Sequence, residues 1–186
     1  PTSGYIFNTN NSPFNSTAEF ENLKEEDYNS TFSFMEEENN RSVRFMELID
    51  DYEKLSYEDF KEIKYDQQYP DSILYIGNIS QIFDLDKSEF PNYENLIDLI
   101  QNWDRRGDIE NIGAAQWSLY YSYMLDVLSE NDLSVKDTID IKFHLDALEK
   151  TKDRLMKNFG KLDIRLGDIQ RLVRGCLLYT SDAADD

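Results

Sequence analysis

The chain has a single cysteine, Cys176, close to its end. No disulfide can therefore form within it, and cysteine usage says nothing of redox compartment. It also has a single histidine, His144. No serine or cysteine lies at a recognisable catalytic spacing from it, so His144 reads as a packed or surface side chain. Basic residues are few: 19 Lys and Arg stand against 38 Asp and Glu, for a net charge of -19. So acidic a chain repels phosphate backbones, which argues against a nucleic-acid partner. No apolar run is long enough to cross a bilayer. No charged-then-apolar leader and no initiator Met stand before Pro1, so the start reads as a cut.

Aromatic side chains are plentiful, with 12 Tyr and 11 Phe, and hydrophobic residues make up 40% of the chain. That composition suits a packed core rather than disorder, and the length suits one domain or part of a larger one. The last stretch, CLLYTSDAADD from Cys176 to Asp186, breaks with everything before it and has no periodic pattern. It reads as the translation of a sequencing-library adapter, which leaves residues 1–175 as the biological piece. Asp182, Asp185 and Asp186 carry three of the excess negative charges, leaving -16 on that piece.

Near the start, Ser3 to Phe14 reads SGYIFNTNNSPF. Tyr5, Ile6 and Phe7 lie between a glycine and a turn cluster, which predicts a short strand. Asn8, Thr9, Asn10, Asn11 and Ser12-Pro13 predict a strand end opening into a turn. Side-chain amides presented at a strand end can aim N–H donors at a developing oxyanion. Asn clusters also simply cap turns.

Residues 15–40 read as an irregular acidic loop with Phe20, Tyr28, Phe32 and Phe34 as apolar anchors. Its acidic runs are expected to be solvated surface. Helical spacing then covers Arg41 to Lys54, with Asn40 as N-cap. Ser56, followed by Asp59, caps a second short helix. Further helices are expected over 73–83, after Pro91 up to Trp103, over 113–128, and up to Phe159 on Leu145, Leu148, Leu155, Met156 and Phe159. Gly160 supplies the left-handed stop of the last one. Trp103 reads as core with its indole N–H satisfied locally. The aromatic stripe of 113–128 fits core packing, or less simply an acyl pocket.

GYIFNTNNSPF closely resembles the strand and turn of the β-chain of penicillin acylases and of the related acyl-homoserine-lactone and aculeacin-type acylases. These are N-terminal-nucleophile amide hydrolases of peptidase family S45. A second resemblance, LDIRLGDIQRLVRG from Leu162 to Gly175, lies far away in the expected order. Looser similarity runs through RSVRFMELI, LSYEDFKEIKYD and the Leu-rich helix closing on Trp103-Asp104.

The resemblance implies a mainly α piece with a short N-terminal β-strand, taken from a parent of αββα fold. It implies that Asn10 donates its side-chain amide to the oxyanion. It further implies that Arg41, a rigid and permanently charged fork of donors, braces the site; the ordinary alternative is a surface Arg41 paired with Glu37 or Glu38. A structural calcium ion is implied on a loop carboxylate, for which Glu19 or Glu21 are candidates. The nucleophilic Ser would lie outside this chain, so the piece alone is expected to be inactive. Its partners would be the α-chain, the remaining β-chain and an N-acyl amide substrate, in a periplasmic or secreted bacterial enzyme. Asp168 and Arg171 are expected to form a buried ion pair without a catalytic role. The competing reading is a non-catalytic acidic helical binding module, in which Asn8 to Asn11 make a plain turn and the helices a complete bundle.

Overall fold

Apolar residues at helical spacing build most of the computed structural model, which describes residues 2–29, 38–50, 52–174 and 177–180, with backbone alone from 171 onward. Phe32 and Phe34, expected as anchors, lie outside the described residues. The chain divides into two compact units, Pro1–Leu74 and Tyr75–Asp186.

The first unit opens on irregular backbone with short 3₁₀ turns at Pro13–Asn15, Glu19–Glu21 and Glu25–Asp27. Two helices follow, α1 (Asn40–Ile49) and α2 (Tyr57–Lys64). The N-cap of α1 is Asn39, not Asn40: its side chain accepts from the N–H groups of Arg41 and Ser42, and the Ser42 hydroxyl answers the Asn39 N–H. The α2 cap is the expected one, with Ser56 and Asp59 capping each other. Tyr5 to Asn8 have no neighbouring strand among the described residues. A strand needs a ladder partner, and here the Phe7 N–H goes to the Ser16 carbonyl instead. Phe7 stacks on Phe45 of α1 with centroids 4.4 Å apart. Phe20 is no anchor, being 77% exposed. Of the large aliphatic residues described in this unit, Ile49 and Ile63 are buried.

The second unit has a fuller core. Its main helices are α3 (Glu94–Gln101), α4 (Ala114–Glu130) and α5 (Ile141–Phe159), preceded by a 3₁₀ segment at Gly77–Phe83. Ile79, Ile82, Leu96, Ile97, Ile100, Tyr120, Met124, Leu148 and Leu155 are fully enclosed. Residues 73–83 do not make the expected α-helix, because Tyr75 and Gly77 both adopt positive φ and break the start. The inward face of α5 is His144, Ala147, Leu148, Thr151 and Leu155, whereas Met156 and Phe159 are exposed. Gly160 ends α5 at φ 70, as expected.

Two tryptophans stack in this core, Trp103 and Trp117, with centroids 5.7 Å apart. The Trp103 indole N–H donates to the Arg106 carbonyl at 2.7 Å, the local partner its burial requires. The aromatic stripe of α4 is core packing: Trp117 also lies against Phe83, Tyr120 and Tyr121.

The segment 162–170 is held to the helices by named bonds. Buried Gln116 accepts from the Gly113 N–H and donates to the carbonyls of Leu162 and Ile164. Leu166 and Gly167, at the start of the short helix α6 (Leu166–Ile169), donate to the carbonyls of Asn111 and Ile109. A Cβ at Gly167 would meet the Ile109 carbonyl oxygen at 3.0 Å, so the glycine permits this close approach. Asp168 pairs with Arg165 near the surface; the side chain of Arg171, its expected partner, lies outside the described residues. Finally, β1 (Arg171–Arg174) pairs antiparallel with β2 (Leu177–Thr180), Arg171 opposite Thr180. Among the described residues no helix is long and apolar enough to cross a membrane.

In the second unit the buried side chains of Tyr120 and His144 are linked by hydrogen bonds that end on the exposed Gln81. The Tyr120 hydroxyl lies 2.5 Å from His144 Nδ1, and His144 Nε2 lies 3.2 Å from Gln81 Oε1. An amide oxygen can only accept, so Nε2 carries the proton and Nδ1 accepts from the tyrosine. Burial pushes the His144 pKa down to about 4. The folded value lies below the unfolded one near 6.5, so this contribution to stability is complete above about 6.5 and is lost as pH falls toward 4. As the sole histidine, His144 can be titrated by its own proton NMR signal. The imidazole is expected to stay neutral at pH 5.5; a midpoint near 6.5 would disprove the enclosed network.

Candidate functional site

The asparagine cluster is ordered by its own amides. Asn8 Oδ1 accepts the Asn10 N–H at 2.8 Å, and Asn11 Oδ1 accepts the Thr9 N–H at 2.8 Å. The Asx turn at Asn8 and the backward bond of Asn11 bend the chain, and Asn10 sits at φ 63, a left-handed conformation that asparagine tolerates better than most side-chain-bearing residues. Asn11 also spends its Nδ2 on the carbonyls of Ser12 and Asn15. Asn10 is exposed, and its side-chain amide makes no hydrogen bond among the described residues. It is thus the one member of Asn10 and Asn11 free to point a donor outward.

Asn39 ties this turn to α1. Its Nδ2 donates to the Thr9 carbonyl at 3.1 Å while its Oδ1 caps the helix. Arg41 follows in the first turn of α1 and is exposed. It forms no ion pair among the described residues. Glu38 is engaged elsewhere, accepting from Asn15 and from the Ser42 hydroxyl; Glu37 lies outside the described residues. By contrast, Arg44 grips Asp66 with two nitrogens, at 2.9 and 3.3 Å, and reaches Glu47 at 3.2 Å. The hydrogen bonds it donates to Asp66 hold the Arg44 guanidinium pKa above the ordinary value. Sequence reading missed Asn39, although the Asn-x-x-Ser spacing to Ser42 carries a capping-box signal.

A cleft of about 960 Å³ lies in this unit. Phe7, Phe45, Leu48 and Ile63 give it an apolar lining, and Asn8, Thr9, Asn39 and Arg41 border it. Asn10 is not among the lining residues. Such a volume is within the range of small-molecule sites.

Glu21 is committed to the N-terminal segment. Its carboxylate accepts from the Ser3 N–H at 2.9 Å, from the Ser3 hydroxyl, and from both the N–H and hydroxyl of Thr2. Desolvation, the largest single influence, raises its pKa, but the four Ser3 and Thr2 donors together outweigh it and bring it down to about 2. With both oxygens occupied, Glu21 does not fit a calcium ligand in this arrangement. Glu19 is exposed, and no three His, Cys, Asp or Glu side chains converge among the described residues.

A sequence model of the penicillin amidase family matches residues 1–176. No curated protein and no solved structure gives a match. The family match takes in the asparagine turn, α1 and the docked segment 162–170 together, across both compact units. The chain therefore belongs to the penicillin amidase family, a family of amide hydrolases.

Proposed function

We propose that this chain is an internal part of an acylase β-chain and that Asn10 is its oxyanion donor. The observation that carries the proposal is the division of labour in the turn: Asn8 and Asn11 shape the backbone, and the Asn10 amide is left unspent. Amide hydrolysis develops negative charge on the carbonyl oxygen, and a pre-aimed N–H donor stabilises that charge more than it stabilises the substrate. Arg41 braces the site in this reading. Its place on α1, whose cap holds the Thr9 carbonyl, supports a positioning role, as does its freedom from Glu38.

The remaining machinery belongs to the parent. An N-terminal Ser, activated by its own α-amino group, would attack the amide of a penicillin, an acyl-homoserine lactone or a related N-acyl substrate. Neither the nucleophile nor its amine is in this chain, so the chain alone is inactive. The short strand at residues 5–7 would join the αββα core of the parent, in a periplasmic or secreted bacterial enzyme. A calcium ion at Glu19 or Glu21 belongs to this proposal only in the complete enzyme, with ligands from beyond this chain. Residues 176–186 are read as adapter translation; the change of composition at Cys176 and the span of the family match support that reading.

The test has two arms. Resequencing of the source DNA should place a self-cleavage Ser upstream in the same frame, and turnover of the complete enzyme should collapse in Asn10→Ala. Undiminished turnover in that variant would remove Asn10 from the mechanism.

A further inference from the structure

Hydrogen bonds close the asparagine turn and the start of α1 into one ring. The Thr9 N–H donates to Asn11 Oδ1, and Asn11 Nδ2 donates to the Asn15 carbonyl. The Asn15 side-chain amide goes on to the Glu38 carboxylate at 2.7 Å, which also accepts the Ser42 hydroxyl. That hydroxyl, fully buried, accepts the Asn39 N–H at 3.3 Å. Asn39 Nδ2 then returns to the Thr9 carbonyl at 3.1 Å. Asn10 and Arg41 take no place in the ring. Asn10 follows directly on Thr9, Arg41 lies between Asn39 and Ser42, and both are exposed.

Asn39 is the member that faces both ways. Its Oδ1 accepts the N–H groups of Arg41 and Ser42, each at 3.0 Å, while its Nδ2 holds Thr9. The amide fits in one orientation only: turned over, it would set oxygen against the Thr9 carbonyl and N–H against the helix donors. A helix cap needs only the oxygen, which aspartate supplies as well as asparagine. The nitrogen therefore has a separate task. The Thr9 carbonyl belongs to the Thr9–Asn10 peptide, whose N–H is held by Asn8 Oδ1 at 2.8 Å. A planar peptide gripped at both its C=O and its N–H resists turning. That plane sets the direction in which the Asn10 side chain leaves the turn, at φ 63. A donor that meets developing charge without reorganising needs such a fixed base.

We propose that Asn39 is a positioning residue for amide hydrolysis: its side-chain amide orients the Thr9–Asn10 peptide, and through it the Asn10 donor, against the helix that carries Arg41. The proposal rests on the reading of Asn10 as the oxyanion donor. Asn39 itself touches no reacting atom in it.

Asn39→Asp is the discriminating variant, because it keeps the helix cap and loses the donor to Thr9. In the complete acylase it is expected to lower kcat by at least about tenfold, with KM and Tm little changed. Asn39→Ala loses both ends of the amide, so it should lower kcat to a similar extent and lower Tm as well. In an Asn10→Ala background Asn39→Asp should cost nothing further, since it acts through Asn10. Amide hydrogen exchange by NMR on the 186-residue chain gives a readout without turnover. There Asn39→Asp should speed exchange of the Asn10 amide by about tenfold and leave the Arg41 and Ser42 amides unchanged. Three results would overturn the proposal: full turnover in Asn39→Asp, an undiminished loss in the Asn10→Ala background, or an unchanged Asn10 amide. Each of these leaves Asn10 in the mechanism. Full turnover in Asn10→Ala alone is a different result, and removes the oxyanion reading together with the proposal built on it.

Discussion

Asn10→Ala in the complete acylase is expected to lower kcat by about 10²- to 10³-fold, about 3–4 kcal/mol of transition-state stabilisation, with KM little changed. The size follows from geometry and not from the loss of a fold contact. Within the described residues the Asn10 side chain holds nothing else in place, so its deletion removes a donor and leaves the turn to Asn8 and Asn11. One structural effect must be separated from the chemical one. Asn10 sits at φ 63, where alanine is strained by about 1–2 kcal/mol. Asn10→Gly removes the amide while relieving that strain. If Asn10 is the donor, glycine and alanine lose turnover equally. If glycine restores it, the asparagine served only the backbone.

The second large effect is in the other unit and concerns stability. Gly77 adopts φ 46, and a Cβ there would lie 2.1 Å from the Val135 carbonyl oxygen. That oxygen cannot retreat freely, because it accepts the Asn78 N–H at 2.8 Å. The Asn78 side chain reaches on to the carbonyls of Lys136 and Asp137. Gly77→Ala must therefore break the clamp or distort the start of the Gly77–Phe83 segment, which carries the fully buried Ile79 and Ile82. A loss of about 3 kcal/mol is expected. In a unit of this size that is a fall of roughly 10–20 °C in the Tm of thermal unfolding. Gly160→Ala is the control: it shares a positive φ but has open space around the Cβ, so it should cost only about 1 kcal/mol. Equal melting of the two variants would rule out the clamp.

Local signals in the sequence were read well where the chemistry was local. Ser56 with Asp59, the stop at Gly160 and the indole partner of Trp103 depend on residues within one turn, and all appear as expected. Elements set by distant partners were not legible. The inward face of α5 includes His144 and Thr151, whose polar atoms are satisfied by Tyr120, Gln81 and the Ala147 carbonyl. A hydrophobic pattern skips such residues and moved the stripe toward Met156 and Phe159. The sequence points to Asn40 as the cap because it directly precedes the helical repeat at Arg41, whereas Asn39 has the right spacing to Ser42 and the tie to Thr9. The left-handed residues Tyr75 and Gly77 cannot be read from periodicity either. At the asparagine turn, family resemblance singled out Asn10; composition alone left the cluster as a cap.

The stacking of Trp103 on Trp117 has a practical side. These are the only tryptophans in the chain, and both lie in the unit 75–186, enclosed and next to each other. Intrinsic tryptophan emission is therefore a single optical gauge of that unit. It will follow the Gly77 clamp and the His144 network, whereas the unit that holds the asparagine turn has no tryptophan of its own. A reporter for that end of the chain has to be placed there, and the exposed side chain of Phe20 is a natural position for an introduced indole.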